Sequence, residues 1–127
     1  MLNIKSVDHI NLNVKSLEKS VQWYNTVFGL EVKEEGVSNS GNPYKIIGKP
    51  NSIYLALYEN EVNEGGFVNH FGFNLSNFDE SIQFLKEKGI ELGYGGVIKY
   101  PNSKSAYILD PTGIEIELSS NFGGGLN

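Results

Sequence analysis

Hydrophobic and polar residues alternate along Ile4–Val14, and this β-branched stretch is predicted to be a strand. The pattern then changes to a helical period, with one apolar face formed by Leu17, Val21, Tyr24 and Phe28. Ser16 is the expected N-cap of this helix, and Gly29 is placed to end it in a left-handed conformation. Three strands are predicted to follow, at Leu30–Val37, Tyr44–Ile47 and Ser52–Glu59.

The second half of the chain repeats this pattern. Val7–Val27 aligns without a gap over Val68–Lys88, and Gly48–Asn60 aligns over Leu109–Asn121, both at an offset of 61 residues. The repeated helix has Asn77 as its expected N-cap, Glu80 as a capping-box partner and Gly89 as its end, with an apolar stripe of Phe78, Ile82 and Leu85. Its three following strands are predicted at Ile90–Ile98, Ser105–Leu109 and Ile114–Ser120. A fixed offset of this kind indicates an internal duplication.

The chain is therefore predicted to contain two tandem βαβββ modules, residues 4–60 and 67–121, joined by the acidic stretch Glu61–Gly66. We expect one single domain over residues 1–127, with a flexible C-terminal tail at 122–127. The predicted fold class is α+β. Its strands form a curved, mainly antiparallel sheet that is open on its concave side, with the helices on the convex side.

Composition narrows the function classes. A net charge of -5 argues against nucleic acid, because phosphate binding needs clustered positive charge. No apolar run approaches the ~20 residues that span a bilayer, and the amino end lacks a signal-peptide pattern, so the expected compartment is the cytoplasm. With no cysteine, a metal site must use imidazole and oxygen ligands. All ten basic residues are lysines, so an arginine clamp on phosphonate or carboxylate is absent.

The chain has two histidines, His9 and His70, and they occupy the same position in the two repeats. Strand alternation places each on a polar face, which is expected to be the concave face, with Glu115 and Glu117 on the same face of the last strand. Two imidazoles and a carboxylate form a ligand set for a first-row divalent metal with open coordination positions. The alternative is that each histidine is an ordinary strand residue. Glu115 is interpreted as a solvated carboxylate.

His9 before an amphipathic helix, the repeated His70 and the closing motif DPTGIEIEL together resemble the vicinal oxygen chelate superfamily, which includes glyoxalases, bleomycin resistance proteins and extradiol dioxygenases. The resemblance covers essentially the whole chain and implies paired βαβββ modules that form a cup around a metal. It implies His9, His70 and Glu117 as metal ligands, with Fe(II) or Mn(II) preferred and Zn(II) or Ni(II) as alternatives. Ala56 falls at the fourth ligand position of glyoxalase I. A methyl group cannot bind metal, so a three-ligand site is expected. Glu59 is close in sequence but lies on the opposite strand face.

The resemblance implies an enzyme that acts on a small substrate with vicinal oxygens, of the dioxygenase or lyase/isomerase type. The alternative is a metal-free binding protein for an antibiotic or another small molecule, like the bleomycin resistance proteins. A fosfomycin-type thiol transferase ranks lower, because Asn11 replaces a threonine of those enzymes and arginine is absent, although Tyr107 matches a substrate-contacting tyrosine. Tyr107 is the candidate catalytic residue. The candidate substrate-binding residues are Asn11, Tyr54, Ala56, Tyr58 and Tyr107, and the tyrosines have a core role as their alternative. The resemblance also implies a homodimer.

Overall fold

The structure is a computed structural model and describes residues 1, 3, 7, 9–61 and 70–121. The chain divides into two compact units, Met1–Glu64 and Gly65–Asn127. Several predicted segments lie outside the described residues. They are residues 4–6 and 8 of the first predicted strand, most of the predicted linker, the start of the second module at Phe67, and the predicted C-terminal tail. No helix in the described part of the chain is long and apolar enough to cross a membrane.

The first unit contains a four-stranded sheet and one helix. In chain order its elements are β1 (Ile10–Val14), α1 (Leu17–Phe28), β2 (Glu31–Val37), β3 (Pro43–Lys49) and β4 (Ile53–Glu59). The strand order is β1-β4-β3-β2, with β1 parallel to β4 and the other neighbours antiparallel. The module was predicted as β-α-β-β-β, and the structure has this order.

Alternation along β4 separates the two faces of this sheet. Leu55 and Leu57 are fully buried, and Glu59 on the same face reaches the first residue of α1, so this is the face that the helix covers. Asn11, Ala56 and Tyr58 point to the other face, because Asn11 pairs with Ala56 and Tyr58 lies two residues further along β4. The polar row predicted from β1 therefore lies on the helix-free face, since Asn11 and Asn13 are both exposed.

The second unit repeats this arrangement. Its elements are β5 (Phe71–Asn74), α2 (Phe78–Glu87), β6 (Ile98–Lys99), β7 (Lys104–Leu109) and β8 (Glu115–Ser119), in the strand order β5-β8-β7-β6. The first strand again runs parallel to the last, and the remaining pairs are antiparallel. Ile116 and Leu118 are buried on one face of β8. That face is covered by α2, because Lys104, which shares it, pairs with Asp79 in the first turn of the helix.

The predicted strand Ile90–Ile98 is wrong over most of its length. A short 3₁₀ turn occupies Gly93–Gly95, and only the two-residue strand β6 remains at Ile98–Lys99. Gly95 and Gly96 have positive φ values of 79° and 120°, which interrupt the extended chain. The three glycines of the sequence GYGG, Gly93, Gly95 and Gly96, favour a turn over a strand, and the apolar pattern alone did not show this.

The ends of both helices follow the sequence, with one exception. The Ser16 side chain accepts a hydrogen bond from the backbone N–H of Lys19 at 3.2 Å, and Gly29 has the expected left-handed φ of 68°. Gly89, with φ of 70°, follows the C-cap residue Lys88 and so lies one residue further beyond α2. Asn77 is the N-cap residue of α2 but caps no backbone N–H, because its side-chain oxygen accepts from the Ser81 hydroxyl instead. The capping box with Glu80 is therefore not formed as predicted.

Candidate metal and substrate site

Each histidine directly precedes the first strand of its unit. His9 is the residue before β1 and is exposed, and His70 is the residue before β5 and is half-buried. The prediction that His9 lies inside a strand is thus wrong by one residue, since the pairing of β1 with β4 begins at Ile10. The equal position of the two residues before their strands agrees with the duplication seen in the sequence.

His70 and Glu117 come together on the helix-free face of the second sheet. Nε2 of His70 lies 3.1 Å from Oε2 of Glu117, and the side chain of Glu117 is only 13% exposed. The hydroxyl of Ser105, a buried residue of β7, donates to the other carboxylate oxygen of Glu117 at 3.0 Å. Glu117 is therefore oriented by Ser105 so that its second oxygen faces the imidazole. Ser105 was not predicted from the sequence, although strand alternation places it on the same face as Tyr107.

Tyr107 pairs directly with Glu117 across β7 and β8, and its ring meets the ring of His70 edge to face at 5.7 Å. Burial, followed by the negative charge of Glu117 and a hydrogen bond with it, raises the pKa of Tyr107 to about 12. A phenol with this pKa is protonated at neutral pH, so it can act as a hydrogen-bond donor. The structure places this candidate catalytic residue beside two of the three predicted metal ligands.

Glu115 is not the solvated carboxylate that the sequence suggested. Its side chain is 22% exposed, and its Oε1 lies 3.9 Å from Nδ1 of His70. Tyr94 donates a hydrogen bond of 2.8 Å to the other oxygen of Glu115, and this bond raises the pKa of Tyr94 above its ordinary value. Tyr94 was missed because its segment was predicted as a strand. The Tyr94 ring also meets the Tyr107 ring at 4.9 Å.

The residues predicted for substrate binding in the first unit share the helix-free face of its sheet. Ala56 is 5% exposed and pairs with Asn11 on one side and with Ile46 on the other. In the second unit the equivalent pair is Gly72 and Glu117. Because Gly72 has no side chain, it leaves the surface beside Glu117 open, whereas Asn11 projects beside Ala56. Tyr54 is also on the face of Ala56 and is 36% exposed.

Tyr58 contributes to an aromatic surface on this face. Its ring stacks on Tyr44 of the neighbouring strand, with the centroids 5.1 Å apart and the planes 20° from parallel. The hydroxyl of Tyr44 donates to Glu34 at 3.0 Å, and this bond raises the pKa of Tyr44. Tyr58 is thus half-buried in a sheet-surface cluster rather than in the core, as the candidate substrate-binding role requires.

Glu59 has a structural role at the start of α1. Its Oε2 accepts a hydrogen bond of 2.9 Å from the backbone N–H of Leu17, the first residue of the helix. A carboxylate at this position also interacts favourably with the positive end of the helix dipole. Glu59 lies on the helix-covered face, opposite to Ala56 as predicted, so it is not available as a substitute for the fourth ligand that the resemblance gives glyoxalase I at this position.

Among the described residues, His, Asp and Glu side chains form no group of three or more arranged to hold a metal ion. The second unit supplies the pair of His70 and Glu117, with their donor atoms at a separation typical of two ligands on one ion, and His9 belongs to the first unit. The complete set of His9, His70 and Glu117 stays a prediction.

The fold and the helix-free site agree with the family resemblance, and comparison with known proteins establishes the family. The family model of the Glyoxalase/Bleomycin resistance protein/Dioxygenase superfamily matches residues 6–118. The chain belongs to this superfamily. The predicted α+β fold of two βαβββ modules is confirmed.

Curated relatives add a more specific similarity. The chain is 29% identical over 123 residues to metallothiol transferase FosB of Staphylococcus epidermidis, covering 92% of this chain and 82% of the relative. It is 35% identical over 78 residues to a probable trivalent organoarsenical cleaving enzyme of Bacillus subtilis, covering 61% of this chain and 51% of the relative.

Solved structures share the fold. One is the fosfomycin resistance protein FosX from Listeria monocytogenes, in complex with Mn(II) and a sulfate ion, with a TM-score of 0.73 and 21% identity. The superposition covers 95% of this chain and 96% of FosX. At this identity the likeness concerns the fold alone.

Proposed function

We propose that this protein is an enzyme dependent on a divalent metal, that His9, His70 and Glu117 bind the metal, and that the substrate is a small molecule with two neighbouring oxygen atoms. The observation that carries the proposal is the 3.1 Å approach of the His70 Nε2 and Glu117 Oε2 atoms on the helix-free face of the second sheet. Imidazole nitrogen and carboxylate oxygen suit ions such as Mn(II) and Fe(II).

The immediate surroundings of Glu117 support a metal ligand more than a plain ion pair. Ser105 already satisfies one carboxylate oxygen, which leaves Oε2 and its charge directed toward His70. Gly72 leaves the surface beside Glu117 without a side chain. The repeat offset and the family resemblance supply His9 as the third ligand. The vacant fourth position at Ala56 leaves more coordination sites for substrate than a glyoxalase I site would.

A bound divalent ion would polarise the substrate oxygens and stabilise negative charge that develops on them. Tyr107 would bind the substrate beside the metal as a neutral hydrogen-bond donor, because the pKa of about 12 keeps its proton in place. Ser105 would keep Glu117 in one orientation. The aromatic surface of Tyr44 and Tyr58, together with Tyr54, would contact the apolar part of the substrate.

The test is a calorimetric titration of chelator-treated protein with Mn(II), with His9→Ala, His70→Ala and Glu117→Ala as variants. Each variant should weaken binding by more than the roughly 10- to 100-fold that loss of an outer-sphere partner typically costs. Glu91→Ala, which removes an exposed carboxylate of the same unit, should bind as the natural protein does. Mn(II) binding that is unchanged in His70→Ala and Glu117→Ala would refute the site. Tight binding of a cationic drug by metal-free protein would instead support the antibiotic-binding alternative.

Thiol transfer is the reaction class that the relatives favour. From the sequence, dioxygenase and lyase chemistry ranked above thiol transfer, but the match to the metallothiol transferase covers 92% of this chain. Tyr107, beside Glu117, is consistent with it. The lack of arginine argues against a substrate with a phosphonate group, because arginine is the residue that binds phosphonate in bidentate fashion. We therefore propose that the electrophile to which the thiol is added carries no phosphonate group.

This reaction class is tested by following loss of free thiol in the presence of Mn(II) and a panel of electrophiles, with fosfomycin among them. Consumption of thiol by the natural protein, and not by Glu117→Ala, would support thiol transfer. Preferred turnover of fosfomycin would contradict the argument from arginine. Oxygen uptake with a catechol, without consumption of thiol, would favour a dioxygenase over a thiol transferase.

A further inference from the structure

Both ring nitrogens of His70 face carboxylates. Nε2 lies 3.1 Å from Glu117, and Nδ1 lies 3.9 Å from Oε1 of Glu115. The longer separation is an electrostatic contact and not a hydrogen bond. A histidine that binds a metal through one nitrogen usually donates the N–H of the other to a carboxylate or carbonyl oxygen. His70 thus has one carboxylate on its ligand side and a second one behind the ring.

Glu115 is held in this position by a residue outside its own strand. Tyr94 donates its 2.8 Å hydrogen bond to Oε2 of Glu115, while Oε1 is the oxygen that faces His70. The two carboxylate oxygens therefore have different partners. The hydrogen bond from the Tyr94 hydroxyl holds Oε2 in place, so it restricts rotation of the Glu115 side chain.

The segment around Tyr94 adopts an unusual backbone conformation that brings this contact about. Tyr94 has φ of 54° and ψ of 29°, in the left-handed region where the Cβ of an L-residue crowds the following carbonyl oxygen. Its ring is also held against the ring of Tyr107, with the planes 78° apart. Tyr94 is 68% exposed, so its contacts in this disfavoured conformation are those with Glu115 and Tyr107 and not with a packed core.

The first unit has no equivalent arrangement. The offset of 61 residues places Tyr54 at the position of Glu115 and Ala56 at the position of Glu117. The pair of carboxylates therefore occurs beside His70 and not at the corresponding positions for His9. Duplication alone does not explain it, because the ancestral symmetry of the modules is broken here by two carboxylates on one strand.

We infer that Glu115 is a positioning residue for His70, an inference that rests on the metal site proposed above. In the metal-bound protein Oε1 of Glu115 accepts a hydrogen bond from Nδ1–H, so that Nε2 presents its lone pair on the side of Glu117. Tyr94 acts through Glu115 by fixing the carboxylate behind the ring. Neither Tyr94 nor Glu115 binds the metal itself.

The experiment measures Mn(II) affinity by calorimetry in Glu115→Ala, Glu115→Gln and Tyr94→Phe. Glu115→Ala should weaken binding about 10- to 100-fold, the usual effect of losing an outer-sphere partner. Glu115→Gln keeps an acceptor oxygen without its charge and should restore part of the affinity. Tyr94→Phe removes only the hydroxyl and should weaken binding by a smaller factor. The matched controls are Glu91→Ala and Tyr100→Phe, which change an exposed carboxylate and an exposed tyrosine of the same unit.

A double variant separates positioning from general stability. If Tyr94 acts through Glu115, adding Tyr94→Phe to Glu115→Ala should cause no further loss of affinity. Thermal unfolding of the metal-free variants should be measured in parallel. A merely structural role would lower the melting temperature and leave Mn(II) affinity unchanged.

The outcomes distinguish this inference from the metal site itself. Suppose that the natural protein binds Mn(II) through His70 and Glu117, and that Glu115→Ala and Tyr94→Phe bind Mn(II) as tightly as the natural protein. The positioning role is then wrong and the metal site stands. Additive losses in the double variant would overturn the role of Tyr94. Absence of Mn(II) binding by the natural protein would overturn both the site and the positioning role.

Discussion

Replacement of Glu59 tests whether this carboxylate caps helix α1 or serves as a metal ligand. Its Oε2 accepts a hydrogen bond from the backbone N–H of Leu17 at 2.9 Å, and Glu59 as a whole is exposed to solvent. A hydrogen bond to a charged group contributes about 1.5 to 3 kcal/mol when well shielded. A charge at a helix N-terminus contributes about 0.3 to 1 kcal/mol and overlaps with the same contact. For this partly solvated pair we expect Glu59→Ala to lower the free energy of unfolding by about 1 kcal/mol.

Urea denaturation followed by far-ultraviolet circular dichroism measures this loss. Glu59→Gln keeps an acceptor oxygen and should lose about half as much, with a smaller dependence on salt than the natural protein, because the charge is gone. Glu61→Ala is the matched control, because it is the backbone N–H of Glu61, and not its side chain, that donates a hydrogen bond to Oδ1 of Asn60. Ser16→Ala removes the other cap and should cost about 1 kcal/mol.

The same variants test the metal interpretation. Mn(II) affinity should be unchanged in Glu59→Gln, because Glu59 lies on the helix-covered face of the sheet. The reasoning fails if Glu59→Ala is as stable as Glu61→Ala. It also fails if Mn(II) affinity falls in Glu59→Gln while stability is retained, since that result would make Glu59 a ligand.

Three further changes probe the site and its support. Tyr107→Phe should remove the last component of the phenolate absorbance to titrate, because the pKa of Tyr107 is raised from 10.0 to about 12. The stability that this pKa shift provides is complete below pH 10 and is lost as the pH rises through about 12. An unchanged titration curve in Tyr107→Phe would contradict the raised pKa. Ala56→Glu puts a carboxylate at a 5% exposed position and should destabilise metal-free protein by about 1 to 3 kcal/mol, with partial recovery on adding Mn(II). Ala56→Leu adds bulk without a donor atom, so equal recovery in that variant would argue against a fourth ligand. Ile116→Ala should cost about 2 to 5 kcal/mol in urea denaturation, because this fully buried side chain lies between Glu115 and Glu117; a loss below 1 kcal/mol on the same scale would mean that β8 is not anchored by it.

The repeat made most of the fold predictable. The order of elements in both modules, the helix ends at Gly29 and Gly89, and the two faces of β4 and β8 all follow from local patterns of period two and period 3.6. The parallel pairing of β1 with β4 and of β5 with β8 does not follow from such patterns. Pairing joins strands that are distant in sequence, and it is decided by how the helix packs between them.

The predictions that failed depended on single side chains and on glycine. The segment Ile90–Ile98 has the apolar content of a strand, but Gly95 and Gly96 adopt positive φ and Tyr94 lies in a turn. Glu115 was predicted to be solvated because every second residue of a strand lies on the same face, and an exposed face is normally polar. Its actual surroundings come from Tyr94, which is 21 residues away along the chain.

The sequence by itself determined the duplication, the two histidines at equivalent positions and the alanine at position 56, because each is a matter of residue identity and fixed spacing. It also determined which face of each strand is polar, since alternation is a property of the extended backbone. Only the tertiary structure decided which carboxylate meets which nitrogen of His70, that Ser105 orients Glu117, and that Glu59 caps the start of helix α1. These contacts depend on strand register and side-chain rotamers, which are fixed when β7, β8 and the helices pack.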